Sequence, residues 1–152
     1  MKRACLFTAM MMTGMTVMAS CSHDAALPTG VMPANQACGQ VVMKAPKGFF
    51  VDVKQVHLVL TTYQKGEPIE ARGDVSSGFA PNALVWIVEV HAAAVHWDHS
   101  VPPGYQPPKQ PYTDFSVVLN ARTGRVSDQG ECRCWPLPLE QAGALVSLPP
   151  QC

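Results

Sequence analysis

Three histidines lie close together in this sequence, and imidazole is a side chain well suited to binding a metal. His91, His96 and His99 fall within nine residues of one another, and Asp98 adds a carboxylate. Neutral imidazoles and a carboxylate suit zinc, copper or nickel. The spacing matches no metal motif of defined geometry. Two interpretations therefore stay open, exposed loop histidines or a metal site, and no cofactor is assigned.

The cysteines offer a second kind of chemistry. Beyond residue 21 the chain contains four of them: Cys38, Cys132, Cys134 and Cys152. An even number in an oxidising compartment predicts two disulfides. A bridge between Cys132 and Cys134 would close a very small ring, so we expect Cys38 and Cys152 each to pair with one of these two. The Cys132-Arg133-Cys134 spacing is also shorter than that of the usual zinc or redox pair.

Other catalytic patterns are missing from the sequence. The chain has no Gly-x-Ser-x-Gly motif for a nucleophile and no glycine-rich loop for a phosphate. Glu67, Glu70 and Asp74 fall in the polar stretch 66–82, which we interpret as a loop and not as a pair of glycosidase carboxylates. His57 is interpreted as a partly buried packing residue. We therefore expect a protein that is not an enzyme.

Two strands are predicted to position the histidines. Within 83–95 apolar residues alternate along one face, and the other face turns polar at Glu89 and His91. The segment 114–120 alternates similarly and is the predicted partner, followed by a turn in which Gly124 supplies a positive φ. We expect one face of this pair to pack on a core.

The remaining elements complete an α+β pattern. Apolar residues in 53–63 follow helical spacing, although their β-branched content also suits a strand. Asp52 as a cap, with Lys65 and Gly66 as a stop, favours a helix. The segment 144–148 predicts a short edge strand. The expected fold is a short helix packed on a small antiparallel β-sheet, with disulfides.

A long proline-rich loop, 96–113, joins the two predicted strands. Loops of this length inside a compact domain are often functional, and prolines favour stiff, extended geometry. Aromatic side chains offer contact area at low entropic cost, so the partner-binding candidates are Trp97, Tyr105 and Tyr112. The alternative, in which these rings cover the strand ends, fits the pattern equally well.

The first twenty-one residues predict export. Lys2 and Arg3 precede the apolar run 4–19, which is too short and interrupted for a bilayer span, and small residues precede Cys21. This segment resembles a bacterial lipoprotein signal. The resemblance implies cleavage of the signal peptide 1–20 and acylation of Cys21, which would anchor the protein on the extracytoplasmic face of the cell membrane.

The mature chain expected after cleavage is short and nearly neutral. Residues 21–47 are interpreted as a lipidated N-terminus and spacer, which we expect to become ordered around Cys38, and 48–152 as a single small domain. Without Lys2 and Arg3 the chain keeps nine Lys and Arg residues against eleven Asp and Glu residues. This balance argues against nucleic acid as a partner, because such binding depends on neutralising phosphates. The expected partners are the membrane, through the lipid, and an unidentified envelope protein.

The predicted helix, the two strands and the turn after them together resemble the PepSY-like modules of exported bacterial proteins. In that family the second strand commonly ends in Asp-Ala-x-Thr-Gly-x-Val, and residues 120–126 are Asn-Ala-Arg-Thr-Gly-Arg-Val, with Asn120 in place of the Asp. The resemblance covers 53–130. It implies a helix on a small antiparallel sheet, a role in binding or restraining another protein, and no catalytic residues.

Overall fold

Five antiparallel strands form one sheet, with helices against it. The computed structural model describes residues 26–70, 78–96 and 109–152. The elements in chain order are α1 (Ala34–Val42), β1 (Phe50–Thr62), α2 (Tyr63–Glu70), β2 (Leu84–Val95), β3 (Tyr112–Asn120), β4 (Val126–Cys132), a 3₁₀ helix (Leu139–Gln141) and β5 (Leu145–Leu148). The strand order is β4-β3-β2-β1-β5. The predicted α+β class, a helix packed on an antiparallel sheet with disulfides, is confirmed.

The predicted strand pair is present as β2 and β3, with Val88 opposite Val117. Both faces of the pair are buried, which differs from the expectation of one core face. We call these the α1 face and the α2 face, after the helix that packs on each. The α1 face carries the larger apolar core, which includes Val56, Leu58, Trp86, Val88, Val90, Phe115, Val117 and Leu119. The α2 face carries the smaller one, with Val59, Val85, Ile87, Val118, Leu137 and Leu139.

Helix α1 lies inside the segment that the sequence assigned to a spacer, 21–47. Its buried residues Ala37, Cys38 and Val41 lie on one side of the helix, because Val41 follows the other two by three or four residues, and they pack on the α1 face. Just before the helix, the Trp86 indole N–H donates to the Met32 carbonyl at 2.9 Å. The packed part of the chain therefore begins near residue 31, well before residue 48.

The helix predicted over 53–63 is wrong, because this segment belongs to β1. Val56 and Leu58 project to the α1 face, whereas His57 and Val59 project to the other. The strand pairs with β2 along its length and with β5 at its C-terminal half. Pairing on both edges and the β-branched content outweigh an incidental helical spacing.

Helix α2 follows β1 directly and occupies the first part of the predicted loop 66–82. The stop expected at Gly66 is wrong. A Cβ at this position would lie 2.6 Å from the Ile87 Cδ1 atom, so only glycine lets α2 approach β2 this closely. The helix carries Glu70 into the interior, at 8% exposure, where the sequence suggested a polar loop.

Two smaller predictions are confirmed. Gly124 has φ 72° in the turn between β3 and β4, and its N–H donates to the Asn120 carbonyl at 2.9 Å. The short edge strand is present as β5.

The disulfide pairing predicted from the sequence is wrong. The bonds join Cys38 to Cys152 and Cys132 to Cys134. Helix α1 places Cys38 next to the C-terminus, with Cα atoms 5.9 Å apart. The Cα atoms of Cys132 and Cys134 are 5.4 Å apart, which a disulfide can span even though one residue separates them.

The two bridges should differ in their effect on stability. Replacing Cys38 and Cys152 together by Ala should lower the free energy of unfolding by about 4 to 5 kcal/mol, because that bridge closes a loop of 114 residues in the unfolded chain. The matched pair Cys132→Ala and Cys134→Ala should cost under about 2 kcal/mol. Urea unfolding of both variants measures this, and equal losses would contradict the interpretation.

Candidate functional site

A cluster of polar side chains lies in the sheet on its α2 face, and we take it as the candidate functional site. Residues directly opposite each other on antiparallel strands project from the same face. The strand register places the members of the cluster in two rows that run across the sheet. His91, Asp114 and Cys132 form one row, and His57, Glu89 and Ser116 form the next. The segment 133–142, which follows β4, covers this face.

Asp114 makes three side-chain contacts with polar partners in the cluster. It is 2% exposed, and its Oδ1 atom lies 2.6 Å from His91 Nδ1. Its Oδ2 atom accepts from the Thr113 hydroxyl at 2.8 Å and from the Cys134 backbone N–H at 2.9 Å. The carboxylate thus fixes both the His91 ring and the start of the covering segment.

Glu89 holds the same segment one row further along. It is 1% exposed, and its Oε1 atom accepts from the Leu137 backbone N–H at 2.7 Å. Its Oε2 atom lies 3.8 Å from His57 Nδ1. Hydrogen bonds between a buried carboxylate and backbone N–H groups are stronger than neutral ones, so Glu89 and Asp114 together fix the path of 133–142.

Trp135 lies over both histidines. Its ring is stacked on His57 at a centroid distance of 4.4 Å and an interplanar angle of 26°, and on His91 at 5.0 Å and 28°. Burial lowers the pKa of His57, against the nearby charge of Glu140, which raises it. The interpretation of His57 as a partly buried packing residue is confirmed.

Glu70 extends the cluster from the end of α2. It accepts a hydrogen bond from the Ser116 hydroxyl at 2.9 Å. Burial raises the pKa of Glu70 to about 7; the Ser116 hydrogen bond lowers it, while the carboxyl group of Asp128 raises it further. Glu70 is therefore a buried acid that changes charge near neutral pH.

The predicted metal ligands are only partly within the described residues. His91 is held by Asp114, and His96 follows β2, where its backbone N–H donates to the Phe49 carbonyl at 2.8 Å. His99 lies outside the described residues. In the ranges 26–70, 78–96 and 109–152, no group of three His, Cys, Asp or Glu side chains could hold a metal ion.

The predicted partner-binding residues also lie only partly within the described residues. Trp97 and Tyr105 lie outside the described residues, as does the predicted lipidation site Cys21. Tyr112 begins β3 and is half-buried. The Arg133 guanidinium lies 5.8 Å from the centre of its ring. The same guanidinium donates to the carbonyls of Gln110 and, at 3.1 Å, Pro111.

A cavity among the described residues lies away from this cluster. A groove of about 260 Å³ runs along the α1 face between α1 and strands β3 and β4, over Phe115, Val117 and Leu119. Its lining is mainly apolar, with Lys44 as its charged member. We place the candidate site at the polar cluster, because buried acids and histidines are what could do chemistry.

The cluster was only partly visible in the sequence. The change from Ile87 to Glu89 and His91 along β2 marked a polar row, which the sequence suggested to be exposed. On β3, Asp114 and Ser116 are likewise polar residues at alternate positions of the strand. Glu70 gave no signal, because its burial depends on where α2 packs. What the arrangement can do is orient an imidazole through a carboxylate, which is the support that a proton-transferring histidine needs.

Comparison with known proteins finds no matching family model, no matching curated protein and no matching solved structure. Within the part of the chain that the structure describes, no helix combines the length and the apolar character that crossing a bilayer requires.

The pKa of Glu70 predicts how stability depends on pH. It lies above the value of 4.5 for an unperturbed Glu, so the folded state binds this proton more tightly than the unfolded state does. Protonated Glu70 therefore contributes to the free energy of unfolding. This contribution is complete below pH 4.5 and is lost as the pH rises through about 7. Glu70→Gln should therefore stabilise the protein at pH 8 by up to about 3 kcal/mol and flatten its pH profile.

The measurement is urea unfolding at several pH values between 4 and 8. Asp52→Asn is the matched control, because it removes one carboxylate at an exposed position, where its ion pair with Lys54 is in contact with solvent. It should change the profile far less than Glu70→Gln does. A Glu70→Gln profile that keeps the wild-type slope would show that Glu70 does not hold its proton in the folded state.

Proposed function

We propose that this protein is an exported, lipid-anchored module of the bacterial cell envelope that binds another protein through its loop 96–113. The resemblance of its N-terminus to a lipoprotein signal supports the anchor at Cys21. The resemblance of its strands to PepSY-like modules supports a binding or restraining role.

The observation that carries the binding role is the way in which the ends of the loop are held. Val95 and Tyr112 are paired, so β2 and β3 still lie side by side where the loop leaves them. The N–H of His96 is bound to the Phe49 carbonyl, and Arg133 holds the carbonyls of Gln110 and Pro111. Binding loops on a rigid scaffold are a recurrent arrangement in proteins.

A non-catalytic role is supported by what the polar cluster does in the fold. Asp114 and Glu89 hold backbone N–H groups of 133–142, and Glu70 bonds to Ser116. Each of these acids has a structural hydrogen bond to explain its burial. The cluster therefore stabilises the end of the sheet from which the loop emerges.

The lipid anchor predicts a single site of acylation. Cells grown with an alkyne-tagged palmitate should label the wild-type protein, and Cys21→Ala should remove the label completely. Cys5→Ala is the matched control, since this cysteine lies within the predicted signal peptide, and it should leave the label in place. Label on the Cys21→Ala protein would place the lipid elsewhere.

The binding role predicts contacts at the held end of the loop. A photo-reactive phenylalanine at Tyr112 should crosslink to a discrete envelope protein in intact cells of the native host. The same group at Leu145, an exposed residue on the edge strand β5, is the control and should give no such product.

A second variant tests whether the loop itself is needed. A Gly-Ser linker of equal length in place of 98–108 keeps the connection between the strands and removes four of the five prolines of the loop and Tyr105. The crosslink from Tyr112 should then fall by at least about tenfold, because most of the contact area is lost. An undiminished crosslink would refute binding through the loop.

A further inference from the structure

The two disulfides have different surroundings. Cys38 is completely buried in the core of the α1 face, and its partner Cys152 is half-buried and packs against the same core. Cys132 and Cys134 are both half-buried, and they lie where the edge strand β4 ends. Cys134 packs against the apolar cluster of the α2 face, whereas Cys132 is the last residue of the strand. Both cysteines of the second bridge are therefore partly accessible to a dissolved thiol, whereas the first bridge includes one cysteine that is not.

We propose that the Cys132–Cys134 bridge is a thiol-exchange site, which accepts two electrons from the thiols of a partner molecule, while the Cys38–Cys152 bridge is structural. This inference goes beyond the proposed binding role and needs no turnover. Exposed disulfides are more oxidising than buried structural ones and are the usual exchangeable ones. The single residue between Cys132 and Cys134 also makes the ring small and its closure less favourable.

The fold can keep its shape when this bridge opens. The Cys134 backbone N–H is held by Asp114, and the Leu137 N–H is held by Glu89. Cys132 is fixed by the pairing of β4 with β3, opposite Asp114. Hydrogen bonds, and not the sulfur bond, therefore keep 133–142 on the sheet, and reduction need not unfold it.

The position of the bridge connects it with the loop. Arg133 lies between the two cysteines, and its side chain holds the carbonyls of Gln110 and Pro111 at the end of the loop 96–113. A partner that contacts Tyr112 and this end of the loop is therefore close to the bridge. The substrate class that this geometry favours is a thiol carried by a bound protein, with small thiols as the alternative source.

The exchange proceeds in two balanced steps. An incoming thiolate attacks the sulfur of Cys132, the bond to Cys134 breaks, and the electron pair leaves on the sulfur of Cys134, which takes up a proton. A second external thiolate then attacks the mixed disulfide and releases Cys132 as a thiolate, which is protonated in turn. Two external thiols become one disulfide, and their two electrons and two protons end on Cys132 and Cys134.

The first test compares the two bridges in the purified full chain. Reduced glutathione is added, the reaction is stopped by alkylation, and each cysteine is quantified by peptide mass spectrometry. The Cys132–Cys134 bridge should open at least about tenfold faster than Cys38–Cys152, because the completely buried Cys38 is both a poorly accessible target for a thiolate and a poor leaving thiolate in its apolar surroundings. Equal rates, or faster opening of Cys38–Cys152, would overturn the proposal.

The second test asks which sulfur is attacked and which source of thiol is preferred. Cys134→Ser leaves Cys132 as a free thiol, which oxidised glutathione captures as a mixed disulfide with release of one reduced glutathione, and Cys132→Ser is the matched variant. Capture should be several-fold faster at Cys132; faster capture at Cys134 would overturn the assigned direction. A peptide with two cysteines should be oxidised faster than glutathione if the source is a protein, and the reverse order would assign small thiols.

These outcomes are independent of the proposed anchor and loop. Exchange is measured on the isolated protein, so loss of the Cys21 label or of the Tyr112 crosslink leaves it unaffected. A bridge that resists glutathione would likewise leave the binding role intact.

Discussion

The carboxylates of Glu89 and Asp114 lie on the two central strands, and each accepts a backbone N–H from the segment that crosses the α2 face. A carboxylate buried without partners is costly, so these strands can be covered only by a chain that supplies donors at these two points. The segment 133–142 does so, and it also carries Leu137 and Leu139 onto the apolar part of the same face. The covered face, the stacked Trp135 and the position of the second disulfide all depend on this pair of hydrogen bonds.

The need of these two buried carboxylates for donors also explains which parts of the fold could be predicted from the sequence. Strands β2 and β3 were predicted because alternation on the α1 face is unbroken from Trp86 to Val90. Their other face was misjudged, because Glu89 and His91 are typical of an exposed row until a partner for the carboxylate is known. That partner is a backbone N–H about fifty residues away, which no local pattern reveals. Burial of a polar row is thus a property of the assembled sheet.

Strand β1 and the disulfides were misjudged for related reasons. Spacing in 53–63 fits a helix as well as a strand, and the choice is made by hydrogen bonding to β2 and β5. The pairing of Cys38 with Cys152 depends on α1, a short helix that was taken for part of a spacer. Once α1 covers the larger core, Cys38 faces the C-terminus, and Cys132 is left with Cys134. Local patterns identified the sheet, whereas packing decided which cysteines meet.

The packed part of the chain begins close to Cys21, so the proposed lipid on this cysteine would hold the domain close to the membrane. Val31 is already buried, and only ten residues separate it from Cys21. Even a fully extended chain spans at most about 3.5 Å per residue, so a lipid on Cys21 would keep the domain within about 35 Å of the bilayer. Strand β1, with thirteen residues, is itself about 43 Å long. The chain enters the domain at Met32, whose N–H donates to the Ala121 carbonyl just beyond the C-terminal end of β3, whereas the loop 96–113 joins the other end of that strand. A short tether at Cys21 would therefore hold the end of the sheet that is opposite to the loop, and the loop is free to meet a partner on the side away from the bilayer.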